Sequence, residues 1–141
     1  MKKVFITGAS SGIGKALALA YAKRGYSVGL TARREDILRD VAKACEKLGG
    51  TPFVYQLDVQ DAEKCKSVAD QFMADAGSID IAIANAGIGG DDGLFSGDSN
   101  QINTILNTNI LGVTNTLMPF IPAMKAQNSG ALVCISSVAS F

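Results

Sequence analysis

The sequence has 141 residues, enough for one domain, and its 48% hydrophobic and 18% charged residues exclude a disordered chain, which needs low hydrophobicity and high net charge. Lysine plus arginine equal aspartate plus glutamate at 13 each, so the basic surplus that nucleic acids and anionic membranes select is missing. There is no histidine, which removes histidine triads, histidine metal sites and histidine pH switches, and Cys45, Cys65 and Cys134 are too scattered for a disulfide framework or a zinc site.

The opening Met1-Lys2-Lys3 precedes an apolar stretch that Gly8 ends too early for a signal-peptide core, and no run approaches the ~20 residues of a membrane span. A soluble, cytoplasmic protein in a reducing compartment is expected. Residues 4–6 predict a first strand, and a glycine-rich turn follows. Residues 16–23 predict a helix on which Leu17, Ala18 and Tyr21 share a face, and Gly25 stops it. Residues 28–31 predict a second strand. Residues 34–48 predict a helix with Ile37, Leu38, Val41, Ala42, Cys45 and Leu48 at three- and four-residue spacing, ended by Gly49-Gly50. Residues 53–57 predict a third strand. Asp61 suits the N-cap of a helix running to about residue 76, with Val68, Phe72 and Met73 inward. Residues 79–84 predict a fourth strand, 87–97 a Gly/Asp-rich loop, and 100–125 one long helix that Pro119 and Pro122 kink or end. Residues 131–135 predict a fifth strand, in which Cys134 reads as a core residue; Cys45 and Cys65 also read as structural.

The strands are continuous apolar runs rather than alternating ones, as in a parallel sheet covered by helices on both faces. Strands and helices in alternation give a doubly wound α/β fold, whose active crevice lies beyond the carboxyl ends of the strands. The residues just after each strand therefore carry the functional reading. After the first comes Thr7-Gly8-Ala9-Ser10-Ser11-Gly12-Ile13-Gly14. Its glycines allow backbone N–H groups close to a pyrophosphate, and the helix start adds partial positive charge. The plainer alternative is a tight strand-to-helix turn. The spacing Gly-x-x-x-Gly-x-Gly differs from Gly-x-Gly-x-x-Gly, and no Gly-Lys-Ser/Thr makes it a P-loop. After the second strand, Ala32 occupies the place where an NAD site carries Asp or Glu, and Arg33 and Arg34 follow, suited to a 2′-phosphate. Alternatively the two arginines solvate a helix start, though positive charge there is unfavourable. Asp58 and Asn85 each read equally as turn formers.

Thr7 to Gly14, Asp58, Asn85-Ala86-Gly87, Asn109 and Ile135-Ser136-Ser137 together resemble the short-chain dehydrogenase/reductase family, in order and spacing along the whole chain. The resemblance implies a Rossmann-type sheet in which Gly8, Ser10, Ser11, Gly12, Ile13 and Gly14 surround the cofactor's phosphates. It implies that Asp58 and Val59 border the adenine, and that Asn85, Ala86 and Gly87 steady the sheet and line the cleft. Asn109 would help hold a proton-relay water, and Ser137 would hydrogen-bond the oxygen of a carbonyl or alcohol substrate. NADP(H) is the expected cofactor with NAD(H) as the alternative, no metal is expected, and a homodimer or homotetramer is implied through the long helix. Asn103, Asn107 and Asn115 show that this helix is rich in asparagine, so a solvent-facing Asn109 is the alternative.

The chain departs from the family in one respect. The family's acid–base Tyr-x-x-x-Lys lies about a dozen residues past the serine matched by Ser137, and no such pattern occurs: the tyrosines are Tyr21, Tyr26 and Tyr55. General acid–base catalysis contributes about 10²–10⁴-fold, so little turnover is expected of these residues alone. The fifth strand is expected to form an exposed apolar edge, and the 141 residues are expected to be the cofactor-binding part of a longer polypeptide. A non-catalytic NADP(H)-binding or oligomerisation module, and a Rossmann methyltransferase, remain as alternatives.

Overall fold

The computed structural model describes residues 1–88 and 97–136. Strand β1 (Lys3–Thr7) leads through the glycine-rich turn into α1 (Gly12–Lys23). There follow β2 (Ser27–Ala32), α2 (Glu35–Lys47), β3 (Thr51–Gln56), α3 (Ala62–Ala76) and β4 (Ile81–Ala84). After the loop come α4 (Ser99–Leu106), a π-helical stretch (Asn107–Leu111), α5 (Gly112–Leu117), a 3₁₀ turn (Met118–Phe120), α6 (Ile121–Ala126) and β5 (Ala131–Cys134). The five strands form one sheet in the order β3-β2-β1-β4-β5, every pair parallel. This is the doubly wound arrangement.

The central strand shows why its sequence is apolar throughout. Val4 and Ile6 point to one face and Phe5 to the other, and all three are buried. On the first face Val28, Leu30 and Ile83 join Ala18 and Ala22 of α1 and Leu38, Val41 and Cys45 of α2. On the second, Phe5 meets Phe72 of α3 at 5.5 Å and Phe120 at 4.9 Å between ring centroids. Burying such a side chain stabilises by about 1.5–3 kcal/mol, and a tilted ring pair adds about 0.5–1.5 kcal/mol. Pro52 is tolerated because β3 is the sheet's edge.

Several expectations are corrected. Helix α1 begins at Gly12 rather than residue 16, because Gly14 packs against Gly8 and Asn85 just past the ends of β1 and β4, which overrides the low helix propensity of glycine. The fourth strand begins at Ile81; Ile79 is fully buried but precedes the ladder. The expected helix over 100–125 is present as one continuous helical run, 99–126, in which the bonding shifts to π over Asn107–Leu111 and to 3₁₀ over Met118–Phe120. Pro119 lies in that 3₁₀ turn and Pro122 in the first turn after it, so the prolines go with a local change of bonding and do not end the run. Leu48 caps α2 and is 42% exposed instead of facing inward. Cys134 is exposed, not core, since β5 is an edge strand on which Leu132 also is 41% exposed. No helix among the described residues is long and apolar enough to cross a membrane.

Candidate functional site

The carboxyl ends of β1, β2, β3 and β4 open into one cleft of about 340 Å³. The chain leaves β1 towards β2 on one side and β4 lies on the other, so the cleft sits at the topological switch point, where open α/β sheets bind ligands.

The corner between β1 and β4 is tied down most firmly. The buried Thr7 hydroxyl accepts the N–H of Asn85 at 3.0 Å and of Ala86 at 3.1 Å, and its oxygen lies 3.5 Å from the Ile83 carbonyl, to which it donates. The Asn85 amide donates to the carbonyls of Thr7 and Gly8, each at 3.2 Å. Two glycines allow this closeness. Gly8 has φ +64°, and a Cβ there would stand 2.9 Å from the Ala86 Cα. A Cβ on Gly14 would stand 2.2 Å from the Gly8 carbonyl oxygen. The backbone N–H of Ala9 continues the tie to β2 by donating to Thr31 O at 3.0 Å.

The start of α1 follows directly from this corner. Its N-cap, Ser11, makes no side-chain capping bond, and no acidic residue lies in the first turn. The other helices that begin from a loop, α2, α3 and α4, differ. Asp61 caps α3 by accepting from Lys64 N at 3.0 Å, Asp98 caps α4 by accepting from Asn100 N at 2.9 Å, and α2 carries Glu35 and Asp36 in its first turn. The first-turn N–H groups of α1, at Gly12, Ile13 and Gly14, thus have neither a side-chain cap nor a neighbouring carboxylate to meet their partial positive charge.

At the end of β2, Arg33 and Arg34 are both exposed and border the cleft. Arg34 pairs with Asp36 at 3.4 Å, but both side chains are about 70% exposed, so water screens the pair. No ion pair involves Arg33 among the described residues, and Gln56 Nε2 fixes its carbonyl at 3.0 Å. At the end of β3, Asp58 accepts from Gln60 N at 3.0 Å, which sets the turn before α3. Val59 is buried, and its carbonyl accepts from Asn115 Nδ2 at 2.8 Å.

Asn109 lies in the π-helical stretch, a form that recurs at functional sites. Its amide pairs reciprocally with one residue: Oδ1 accepts from Ile88 N at 2.8 Å and Nδ2 donates to Ile88 O at 2.7 Å. Asn109 therefore holds the cleft wall that follows Gly87.

Of the residues expected from the sequence, Gly8, Ser10, Ser11, Arg33, Arg34, Asp58, Val59, Asn85, Ala86 and Gly87 line this single cleft. Gly12, Ile13 and Gly14 form the adjoining first turn of α1, and Asn109, itself exposed, bonds the lining residue Ile88. Ser137 lies outside the described residues. The sequence reading missed Thr31, Leu57, Ile88 and Thr108 as lining residues, and gave Thr7 no role of its own. Only Thr7 carried a signal, as the first residue of the glycine motif.

Other reactive groups lie elsewhere. Burial pushes the Cys45 thiol up, helped by Glu46, and pushes Cys65 up to about 11, helped by Asp61 and Asp58. Both are neutral thiols and poor nucleophiles near pH 7. Tyr21 and Tyr26 form a tilted ring pair, 4.9 Å between centroids. The Tyr55 hydroxyl donates to Asp75 at 2.5 Å; burial first, then that bond and charge, push its phenol well up. None of the three tyrosines lines the cleft.

The family model for short chain dehydrogenases matches residues 2–141. The chain belongs to the short-chain dehydrogenase family. Among curated relatives it is similar to the 3-oxoacyl-(acyl-carrier-protein) reductase FabG of Staphylococcus aureus, 33% identical over 138 residues. That match covers 97% of this chain and 56% of the relative, so the chain spans little more than half the relative's length. Among solved structures, a putative short-chain alcohol dehydrogenase from Sinorhizobium meliloti superposes with a TM-score of 0.93 at 33% identity, covering 99% of this chain and 56% of the other. An alcohol dehydrogenase from the archaeon Thermococcus sibiricus, solved with 5-hydroxy-NADP, gives 0.86 at 36% identity, covering 94% and 57%. In this chain the glycine-rich turn between β1 and α1 and the Asn85-Ala86-Gly87 segment after β4 are joined through Thr7.

Proposed function

We propose that this short-chain dehydrogenase chain binds a nicotinamide dinucleotide, NADP(H) in preference to NAD(H), for hydride exchange with a small-molecule carbonyl or alcohol substrate. The observation that carries the proposal is the start of α1, open towards anions at the switch point of the sheet. The residues fit the coenzyme. The diphosphate suits the first-turn N–H groups of Gly12, Ile13 and Gly14, with Ser10 and Ser11 beside them. A 2′-phosphate suits Arg33 and Arg34, where Ala32 supplies no carboxylate to repel it. Asp58 and Val59 would border the adenine, and Asn85, Ala86 and Gly87 would line the cleft that holds the coenzyme.

When bound, the coenzyme supplies or accepts the hydride. This chain's residues do the rest of their work by binding and positioning. Thr7 and Asn85 keep the β1 and β4 ends at fixed spacing, and Asn109 holds Ile88. One Nδ2 hydrogen of Asn109 remains for a relay water. By the family resemblance Ser137 would hydrogen-bond the substrate oxygen; Ser137→Ala, in protein expressed from the complete coding sequence, is expected to cut kcat about a hundredfold, and unchanged turnover would remove that role. The proton exchanged with the substrate oxygen needs a group other than Tyr21, Tyr26 or Tyr55, which sit away from the cleft.

Cofactor choice gives a direct test. A charge-assisted hydrogen bond to phosphate contributes about 1.5–3 kcal/mol, roughly tenfold to a hundredfold in affinity. Wild-type protein is expected to bind NADPH more tightly than NADH by that factor in a fluorescence titration. Arg33→Ala is expected to remove most of the difference while leaving NADH affinity within about twofold. Equal wild-type affinities for the two coenzymes would contradict the NADP(H) assignment.

A further inference from the structure

Arg33 and Arg34 stand side by side just past β2, but they differ in what holds them. The Arg34 guanidinium has Asp36 at 3.4 Å, which offsets part of its charge. The Arg33 guanidinium has no ion-pair partner among the described residues. Of the two, Arg33 is the cation left open to an anion. An exposed arginine samples many directions, and ordering it on a ligand costs affinity. A protein reduces that cost by fixing beforehand the direction in which the side chain leaves the backbone.

That direction is set by the two peptide groups that flank the Cα, and at Arg33 both are held by the end of β3. The peptide before Arg33 is held by main chain, since Leu57 N–H donates to the Ala32 carbonyl at 2.9 Å. The peptide after Arg33 lies past the last ladder pair, Ala32 with Gln56, and no backbone N–H among the described residues donates to its carbonyl. The Gln56 side chain does so instead, with Nε2 donating to Arg33 O at 3.0 Å. The first bond needs only a backbone N–H at residue 57. The second depends on which side chain stands at residue 56. An apolar side chain there has nothing to donate, and a glutamate would set an acceptor against the carbonyl. Gln56 is the last residue of β3, so the donor is carried on the sheet itself. It does not line the cleft; it lies in the adjoining depression that Arg33 also borders.

We propose that Gln56 is a positioning residue for coenzyme selectivity: by fixing the Arg33 carbonyl it holds the Arg33 side chain at the rim of the cleft, ready for a 2′-phosphate. This rests on the NADP(H) reading given above. Gln56 needs no contact with the coenzyme and takes no part in hydride transfer. Its effect is confined to the dinucleotide that carries the 2′-phosphate.

The test is a double-mutant cycle between residues 56 and 33, read as the ratio of NADPH to NADH affinity in fluorescence titrations of protein expressed from the complete coding sequence. Gln56→Met keeps the length of the side chain and removes the donor. It is expected to weaken NADPH binding about threefold, the low end for a lost hydrogen bond because this one joins two exposed residues, and to leave NADH binding unchanged. Gln56→Glu removes the donor and adds negative charge beside the 2′-phosphate, so its ratio is expected to fall further than that of Gln56→Met. In protein that already carries Arg33→Ala, Gln56→Met is expected to leave the ratio where Arg33→Ala alone puts it. Equal loss of affinity for both coenzymes in Gln56→Met would mark a merely structural role and overturn the proposal. So would an unchanged ratio in that variant, or a fall of the same size with and without the Arg33 side chain. In each of those cases a wild-type preference for NADPH would leave the NADP(H) reading intact. Wild-type protein that binds the two coenzymes equally would overturn both.

Discussion

Gly14→Ala is expected to lower the unfolding midpoint and to weaken dinucleotide binding by more than tenfold. Inside a helix this substitution ordinarily gains about 1 kcal/mol, because alanine is the best helix former and glycine a poor one. Here the sign reverses. The new Cβ would lie 2.2 Å from the Gly8 carbonyl oxygen, 2.5 Å from Asn85 Nδ2 and 2.8 Å from the Gly8 carbonyl carbon. Two of these atoms are backbone, and the third belongs to the side chain that ties Gly8 to β4. Relief requires α1 to move off the sheet or Asn85 to release the Thr7 and Gly8 carbonyls. Overpacking of this kind costs about 1–3 kcal/mol, enough to cancel the propensity gain and leave a net loss. Either movement also shifts the open helix start away from the cleft. Urea unfolding together with an NADPH titration reads both effects. A variant as stable as wild type with wild-type affinity would show that α1 does not need its close approach to Gly8.

Thr7→Val is expected to lose about 2–5 kcal/mol of stability, as two backbone donors become unpaired at about 1–3 kcal/mol each. Valine matches threonine in shape but cannot accept the N–H groups of Asn85 and Ala86. Those two groups are half-buried, and the Thr7 hydroxyl that they share is 1% exposed. Thr7→Ser keeps the acceptor and is expected to lose far less. Equilibrium denaturation of the two variants separates the hydroxyl from the packing of the methyl group. If Thr7→Val lost no more than Thr7→Ser, the hydroxyl would not be the joint between the two strand ends.

The alternation of elements was legible because the strands are continuous β-rich runs and the helices carry stops and caps at the right places. Gly25 and Gly77, at φ +79° and +93°, end helices, and Asp61 caps α3. The cleft was legible for the same reason: in a parallel sheet everything just past a strand's carboxyl end converges. The glycine motif, Arg33, Asp58 and Asn85 therefore came together although they are far apart in the chain. What stayed hidden depends on neighbours that no local pattern records. The helical run after residue 98 is apolar and asparagine-rich throughout, and nothing in its spacing marks where the π-helical stretch falls. Thr108 looks like Thr104, Thr114 and Thr116 in sequence, and only the packing shows that its hydroxyl alone goes without a carbonyl.

The central claim is that the uncapped start of α1 grips the diphosphate of a nicotinamide dinucleotide. Calorimetric titration of the protein expressed from its complete coding sequence tests it most directly. Saturable heat with NADPH at one site per chain is expected, with competition by 2′-phospho-ADP-ribose, which carries the same phosphates and no nicotinamide. Folded protein that gives no saturable heat with either NADPH or NADH would contradict it.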